Sequence, residues 1–349
     1  FKLHNEKIPK ELVSSNGIYN ILKYPFLDKP IAKKYLDYLG ILNKKNIDKK
    51  TLNFIEQNTD YDVLLGLAGV ALNSAKKIYN SDKIFICERS SSEIGFQNKL
   101  LSEEYKICET KYYPTHNWYI ENEQKEYDMA DIILTPSNFV KNSFNEKFHH
   151  KIKVINFGVN TENFYKNNSI NKSDEYFEIL FIGQITIRKG LHYLIEAFKN
   201  FKHPKKRLHI VGSHTLDKDF FKKKLSEDNI VVHGHINHLE LNNIINKSHI
   251  FVLPSIEEGF ATVILQALSA GCPVVATENT GAKEFIIENN CGYVIPIRSS
   301  KAILEKLELL SENKNILKKL SNNALNKMRN QTWENYVNKL DIIVNESKK

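Results

Sequence analysis

Short apolar runs alternate with amphipathic stretches along most of the chain from Tyr61 onward. The apolar runs are three to six residues long and many are bounded by Gly, Pro, Ser or Asn, which is typical of buried strands. The predicted strands are residues 61–65, 83–87, 131–135, 153–157, 177–182, 208–211, 230–232, 250–253, 274–276 and 293–295. Strands and helices that alternate in this way favour mostly parallel sheets with helices on both faces. The predicted fold class is therefore α/β, with two doubly wound, Rossmann-like domains in tandem.

The stretches between the strands have the 3.6-residue period of helices. The predicted helices are residues 70–77, 94–105, 121–130, 139–148, 190–200, 219–225, 239–246, 260–270 and 282–288, while the first fifty residues show only short helical patterns. Residues 160–174 are polar, Asn-rich and aperiodic, and predict a linker between domains 1–160 and 161–328. In the last segment, residues 329–349, an amphipathic pattern predicts a helix.

Two consecutive strand-to-helix corners occupy residues 251–284. The first strand ends at Leu253 and leads to Gly259, and the second ends near Thr277 and leads to Gly281. A helix that begins after such a turn directs free N–H groups and the positive end of its dipole toward an anion. Because the carboxyl ends of parallel strands share one edge of a sheet, the two corners should lie side by side where ligands bind. This stretch predicts a diphosphate site.

A third corner, residues 181–190, places Gly183 and Gln184 before a pair of cations, Arg188 and Lys189, at the start of a helix. Cations near a helix N-terminus oppose the dipole unless an anion joins them, so a bound phosphate is one explanation of the pair. The alternative is a solvated basic turn on a lysine-rich protein.

Glu258 and Gln266 are eight positions apart, one just before a predicted helix and one inside it. The helical rise separates them by roughly 12 Å, a span that fits the sugar and the ribose of a sugar nucleotide. A carboxylate accepts hydrogen bonds from sugar hydroxyls, and a carboxamide both accepts and donates. The alternatives are a dipole partner for Glu258 and an exposed helix position for Gln266.

The net charge of +8 suits anionic partners: nucleotides, nucleic acid or an anionic membrane face. No recognised nucleic-acid motif accompanies the charge, so no nucleic acid is expected as a partner. The aromatic and lysine-rich N-terminal region is a candidate for peripheral contact with the inner face of the plasma membrane. Four cysteines without CxxC spacing favour reduced thiols and a cytoplasmic location. The longest apolar run, residues 63–72, is too short to span a membrane.

Metal motifs are weak in this sequence. Asp60-Tyr61-Asp62 and Asp217-Lys218-Asp219 have the spelling of a DxD site, but one leads into a strand and the other into a helix, so both are interpreted as solvated element ends. The histidines at positions 233, 235 and 238 lack the further ligands of a metal site. Neither a metal nor a cofactor is expected.

Several motifs together resemble the family 4 glycosyltransferases, which are retaining enzymes of the GT-B fold. The matching words are FIGQITIRKGLHYLIEAF, PSIEEGFATVILQALSAGCPVVATENTGAKEFI, TPSNFV, VINFGVNTENF and, for one branch, ICERSSSEIGFQNKLLSEEY. The resemblance implies metal-free transfer of a hexose from a UDP- or GDP-sugar donor to a glycan or lipid-linked acceptor. Surface polysaccharide or lipopolysaccharide synthesis is the implied process. It also implies a central cleft and a last helix that crosses back to the first domain.

The resemblance assigns roles to individual residues. Lys189, with Arg188 beside it, would bind the donor diphosphate, and Glu258 would contact the donor sugar. The N–H groups around Gly259, Phe260 and Ala261 would face the phosphate or sugar, near Gly281, and Gln266 would hold the ribose. Glu88 and Arg89 follow the strand at residues 83–87, at the edge that would face the cleft, and we interpret them as candidates for contact with the acceptor. An ion pair that closes this strand end is the alternative.

Three features depart from the family pattern. Gln184 stands where many members have an arginine, and Gln266 stands where they have a glutamate. No opening strand and glycine-rich loop is found before Tyr61, as expected of a chain that lacks that segment. These departures leave two other hypotheses open, a sugar-nucleotide epimerase or hydrolase and a weakly active or inactive nucleotide-sugar-binding protein.

Overall fold

The structure, a computed structural model, describes residues 33–213 and 217–347. Its helices are α1 Lys33–Gln57, α2 Leu72–Ile78, α3 Ile94–Ile107, α4 Asn117–Met129, α5 Asn138–Ser143, α6 Leu191–Asn200, α7 Lys218–Lys222, α8 His238–Lys247, α9 Thr262–Ser269, α10 Lys283–Glu288, α11 Ser300–Glu312, α12 Lys314–Met328 and α13 Trp333–Ser347. Its strands are β1 Val63–Leu67, β2 Ile84–Glu88, β3 Ile132–Thr135, β4 Ile152–Val154, β5 Phe177–Ile182, β6 Lys206–Val211, β7 Ile230–Gly234, β8 Ile250–Leu253, β9 Val274–Thr277 and β10 Gly292–Ile295.

The described residues form two compact units. The first unit contains residues 33–88 and 113–132, and the second contains residues 89–112 and 133–347. The strands belong to two parallel sheets, of four and six strands. The predicted α/β class with two parallel sheets is confirmed.

In the first unit, β1 pairs in parallel with β2, from Val63 opposite Ile84 to Leu67 opposite Glu88. The 25-residue helix α1 replaces the short helical patterns expected before residue 60. The predicted membrane contact and part of the predicted short helices fall on positions 1–32. These positions lie outside the described residues.

In the second unit, six strands follow the order β10-β9-β8-β5-β6-β7. Strands β5, β8 and β9 are buried at every position, because helices cover both faces of a parallel sheet. The core of this unit extends along the chain from Val159 to Met328. The same unit contains the parallel pair β3 and β4. These central strands give the loops at their carboxyl ends a rigid base.

One predicted helix is divided in the structure. In place of a helix over residues 139–148, α5 ends at Ser143 and a 3-10 helix follows at Glu146–Lys151. The division occurs at Asn145, whose side chain accepts a hydrogen bond from Lys147 N at 3.0 Å. A side chain that caps a new turn competes with continuation of the first helix.

The helices of the described residues were compared with the length and hydropathy that a membrane span requires. None of them meets both.

Candidate active site

Strands β5, β8 and β9 are neighbours in the six-stranded sheet, and the loops at their carboxyl ends contain most of the predicted site residues. The β8 loop runs from Pro254 to Ala261, and α9 begins only at Thr262. Gly259 therefore lies in the loop and not at a helix start, and the helix begins two residues later than predicted.

The β8 and β9 loops are bonded to each other through their backbones. Glu258 N donates to Asn279 O at 2.9 Å, and Ala261 N donates to Thr280 O at 3.2 Å. The predicted adjacency of the two corners is thus present. The N–H group of Ala261 is already committed, whereas those of Gly259 and Phe260 have no hydrogen-bond partner among the described residues.

Gly281 and Gly259 permit this close approach. Gly281 has φ +74°, and a Cβ atom added there would overlap the carbonyl oxygen of Gly259. The same oxygen accepts a hydrogen bond from Ser137 Oγ at 2.6 Å, and Ser137 also caps α5 by accepting from Val140 N at 3.2 Å.

Arg188 and Lys189 lie in a short 3-10 helix, Ile187–Lys189, that precedes α6. The Lys189 ammonium group forms an ion pair with Oε1 of Glu258, and a guanidinium nitrogen of Arg188 lies 3.8 Å from the other oxygen of Glu258. The structure thus joins Lys189, Arg188 and Glu258. Carboxylates of the protein already balance the two cations, so a bound phosphate is not needed to explain the basic pair.

Glu257, which sequence reasoning did not select, is the other carboxylate in this cluster. It is fully buried, and it accepts hydrogen bonds from Ser92 N at 2.9 Å, Ser92 Oγ at 2.8 Å and Gln97 Nε2 at 2.7 Å. Its Oε2 lies 2.9 Å from Arg188 Nε. The only sequence signal was the doubled glutamate, in which Glu258 matched the family motif.

Glu257 and Arg188 form an ion pair, and each residue shifts the pKa of the other toward the charged form. Burial alone would raise the pKa of Glu257, but Arg188 and the hydrogen bonds from Gln97 and Ser92 hold the pKa below its ordinary value. Burial alone would lower the pKa of Arg188, but Glu257 and Glu258 raise it. Glu257 therefore fixes the guanidinium group next to Glu258.

The remaining donor-side residues differ in their surroundings. Gln266 lies within α9, and its Oε1 is buried without a hydrogen-bond partner among the described residues. Gly183 follows β5 with φ +156°, where a Cβ atom would lie 3.6 Å from the Lys189 side chain. Gln184 is exposed, and its carbonyl oxygen accepts from Thr186 N at 2.9 Å. The structure thus places Gly183 beside the Lys189 side chain and the Gln184 side chain at an exposed position.

Glu88 and Arg89 fall in different units. Glu88 ends β2 in the first unit, where its carbonyl oxygen accepts from Ala68 N at 2.9 Å. Arg89 donates to Ser92 O at 2.9 Å and to Gln97 Oε1 at 3.2 Å. Because Gln97 in turn donates to Glu257, Arg89 is connected to the Arg188 cluster through one side chain.

The interpretation of Asp217 as a solvated element end is wrong. Asp217 is buried, and its Oδ2 accepts hydrogen bonds at 2.9 Å from both Ile187 N and the Tyr105 hydroxyl. It therefore supports the turn that holds Arg188 and Lys189. The other carboxylates of the two DxD words, Asp60, Asp62 and Asp219, are exposed.

Two polar clusters outside this region contain metal-ligand residue types. His233 contacts His209 at 2.9 Å between ring nitrogens, and His209 contacts Glu178. Sequence reasoning missed the cluster Glu104, Cys108 and His192. Buried Glu104 accepts hydrogen bonds from Arg298 Nε at 2.6 Å and from the Tyr193 hydroxyl at 2.9 Å, which makes it the centre of an ion-pair network.

Comparison with protein families identifies the segment that carries this site. The glycosyl transferases group 1 model matches residues 163–327, which include the three loops and both glutamates. Residues 163–327 are therefore similar to the glycosyl transferases group 1 family.

Two curated relatives extend the comparison beyond this segment. The chain is 29% identical over 221 residues to an uncharacterized glycosyltransferase of Methanocaldococcus jannaschii, a match that covers 60% of this chain and 57% of the relative. It is 27% identical over 221 residues to CapM of Staphylococcus aureus, a capsular polysaccharide biosynthesis glycosyltransferase, with 57% of each chain covered. The match thus spans little more than half the length of either relative.

Solved structures establish the fold. Sucrose-phosphate synthase from Thermosynechococcus elongatus superposes with a TM-score of 0.73 at 16% identity, covering 90% of this chain and 79% of that chain. HepE of Anabaena, solved in complex with UDP, superposes with a TM-score of 0.67 at 14% identity, covering 95% and 90%. The GT-B fold that the sequence motifs implied is confirmed.

Proposed function

We propose that the chain is a retaining, metal-independent glycosyltransferase that transfers a hexose from a UDP- or GDP-sugar to a glycan or lipid-linked acceptor. The observation that carries the proposal is the pairing of Lys189 with Glu258 beside the loop of Gly259. A cation, a carboxylate and unpartnered N–H groups are the groups that a diphosphate and its sugar require. Matches to CapM and to glycosyltransferases of colanic acid and lipopolysaccharide synthesis support a role in surface polysaccharide synthesis. The four free thiols favour the cytoplasmic side of the membrane.

In the proposed complex, donor binding replaces the ion pair between Lys189 and Glu258 by contacts to the diphosphate and to the sugar. The Lys189 ammonium group moves from Glu258 to the diphosphate, which also accepts hydrogen bonds from the N–H groups of Gly259 and Phe260. Glu258 is then free to accept hydrogen bonds from sugar hydroxyls. The buried oxygen of Gln266 accepts a hydrogen bond from a ribose hydroxyl, as its lack of a partner suggests.

Lys189 and Arg188 stabilise the negative charge that develops on the leaving diphosphate. Charge stabilisation of this kind contributes several kcal/mol to lowering a barrier. The acceptor hydroxyl attacks the anomeric carbon from the face that the diphosphate leaves, the bond from this carbon to the diphosphate oxygen breaks, and the departing oxygen takes the hydroxyl proton. The configuration is retained.

Replacement of Lys189 or Glu258 by alanine tests the assignment. Titration with UDP-, GDP- and ADP-sugars first identifies the donor. Each variant should then lower kcat/KM by about 100-fold or more, because it removes a contact to the diphosphate or the sugar. Lys199→Ala is the matched control, since Lys199 is an exposed lysine of α6 that pairs with Glu227.

Retention of activity within a few-fold in both variants, with unchanged circular dichroism, would reject the site. Product analysis separates the other hypotheses. A hydrolase releases free sugar without acceptor, an epimerase returns an altered sugar nucleotide, and a binding protein binds the donor without turnover.

A further inference from the structure

The first unit contains a basic cavity, and its lining shares no residue with the cluster of Arg188, Lys189 and Glu258. The cavity has a volume of about 480 Å³, within the range of small-molecule sites, about 300–1,000 Å³. Helix α1 contributes Lys44, Lys45 and Lys49 to its wall, and α4 contributes Trp118. We call it the lysine cavity.

The base of the lysine cavity is the loop that follows β1. Gly69, in this loop, has φ +87°, and a Cβ atom there would overlap the end of the Lys44 side chain. The loop follows the carboxyl end of a parallel strand, and ligands of open α/β sheets bind at this edge. The cavity therefore occupies the position in the first unit where the fold usually places a ligand.

The charges of the cavity wall favour an anion. Three lysines and one aspartate, Asp48, are the charged residues among those that line it. Asp48 is buried and directed toward α2, where it accepts hydrogen bonds from Asn73 N at 2.7 Å and from Ser74 N at 3.0 Å. The ammonium groups of Lys45 and Lys49 are thus the charged groups that the proposal assigns to a ligand, and lysines bind phosphate well as point charges.

Much of the remaining lining is apolar, although Asn73 and Asn122 also contribute to it. Leu52, Val70 and Leu72 line the cavity, and the Lys45 ammonium group lies 5.7 Å from the centre of the Trp118 ring. A ligand with a phosphate group next to an apolar chain would satisfy both parts of the wall. A sugar acid without an apolar chain would instead place its hydroxyl groups against the apolar part of the wall.

We propose that the lysine cavity binds the phosphate or diphosphate group of a lipid-linked acceptor. This inference rests on the proposed function, which requires an acceptor, and it specifies the chemical class of that acceptor. Lys45 and Lys49 bind the phosphate oxygens, and Trp118 packs against the first part of the apolar chain.

Fluorescence of Trp118 provides a local test in the full chain. The sequence has two tryptophans, so Trp333→Phe leaves Trp118 as the single tryptophan. In this background, inorganic pyrophosphate and a short prenyl diphosphate should each change the emission with saturation. Lys45→Ser with Lys49→Ser should weaken both affinities about tenfold or more, since two ammonium contacts are lost.

Lys76→Ser with Lys77→Ser is the matched control. These lysines are exposed on α2, outside the cavity lining, and their replacement makes the same change in net charge. Equal weakening in the two double variants, or no saturable change of emission, would overturn the inference. Tighter binding of a sugar 1-phosphate than of the prenyl diphosphate would overturn the lipid part and assign the cavity to a soluble phosphorylated acceptor.

Lys189→Ala separates this inference from the proposed function. It should abolish most turnover and leave the Trp118 titration unchanged. If Lys189→Ala removes turnover but no phosphate affects Trp118, the inference fails and the proposed function stands. If the prenyl diphosphate binds but neither Lys189 nor Glu258 affects transfer, the donor-site assignment fails instead.

Discussion

Glu257 and Glu258 are adjacent in the chain but have different surroundings. Glu258 pairs with Lys189 at the edge of the site, whereas Glu257 is buried and accepts hydrogen bonds from Ser92 and Gln97. Removal of one partner from a buried ion pair leaves an uncompensated charge, at a cost of about 3–5 kcal/mol. We therefore assign Glu257 the positioning of Arg188 and reserve contact with the donor for Glu258.

Glu257→Gln should lower the stability of the protein and change its dependence on pH. The folded-state pKa of Glu257 is below its ordinary value of 4.5, so its stabilising contribution is complete above that value. The contribution is lost as the pH falls through the lower folded pKa, because the unfolded state then binds the proton first. Urea unfolding between pH 6 and pH 3 should show a shallower loss of stability in the variant than in the wild type.

Glu258→Gln is the control for this measurement, since Glu258 lies at the edge of the same cluster. An equally steep loss of stability in Glu257→Gln and the wild type would contradict the buried-pair assignment. A donor titration adds a functional readout. Glu257→Gln should lower kcat as well as raise KM, because a displaced Arg188 would no longer stabilise the charge on the leaving diphosphate.

At the scale of elements, the site depends on two loops that pack backbone against backbone. The apolar pattern and the glycines predicted these loops, because strand burial and positive φ angles leave a signal in local sequence. The start of α9 was predicted two residues too early, because the hydrogen bonds that hold Glu258 and Ala261 in the loop are made to the β9 loop. Propensity does not contain that information.

Gly281→Ala should lower the free energy of unfolding, because the two loops pack backbone against backbone at this residue. The new Cβ would meet the carbonyl oxygen of Gly259 at a residue with φ +74°, so steric overlap adds to the strain of a left-handed backbone. We expect a loss of about 2 kcal/mol or more and weaker donor binding. Chemical unfolding and donor titration measure the two effects.

Gly234→Ala supplies the comparison. Gly234 has a similar φ of +68°, but no atom lies within 4 Å of an added Cβ. It should lose only about 1 kcal/mol and retain donor affinity. Equal effects of the two substitutions would show that loop packing at Gly281 contributes nothing.

Helix α4 holds the β1 loop through Glu126. This carboxylate accepts hydrogen bonds from the N–H groups of Gly69 and Ala71, the latter at 2.9 Å. Burial raises the pKa of Glu126 to about 7, although the hydrogen bonds from Gly69 and Ala71 oppose the shift. The loop below the lysine cavity is therefore attached to an acid that titrates near neutral pH.

Between pH 4.5 and 7 the folded state retains a proton on Glu126 that the unfolded state has lost. Stability should therefore fall as the pH rises through this range, by about 3 kcal/mol for a shift of this size. Glu126→Gln should remove most of that fall in thermal or urea unfolding. A variant with the wild-type slope would show that another group is responsible.

At the scale of the whole molecule, the sequence predicted more of the fold than of the site. Alternating strands and helices follow from hydrophobic period, and the GT-B fold followed from motifs around Lys189 and Glu258. The partners of Glu257 could not be predicted, because Ser92 lies 165 positions earlier and no local pattern links the two. The burial of Asp217 was missed for the same reason, since its partner Tyr105 lies 112 positions away.

Residues 89–112 precede the predicted linker, yet they belong to the same compact unit as the loops of Lys189 and Glu258. A hybrid protein assembled at residue 160, with its donor half taken from this chain, would leave Glu257 and Asp217 without Ser92, Gln97 and Tyr105. Engineers who wish to exchange donor specificity between such enzymes should transplant the segment 89–112 together with the carboxyl-terminal half.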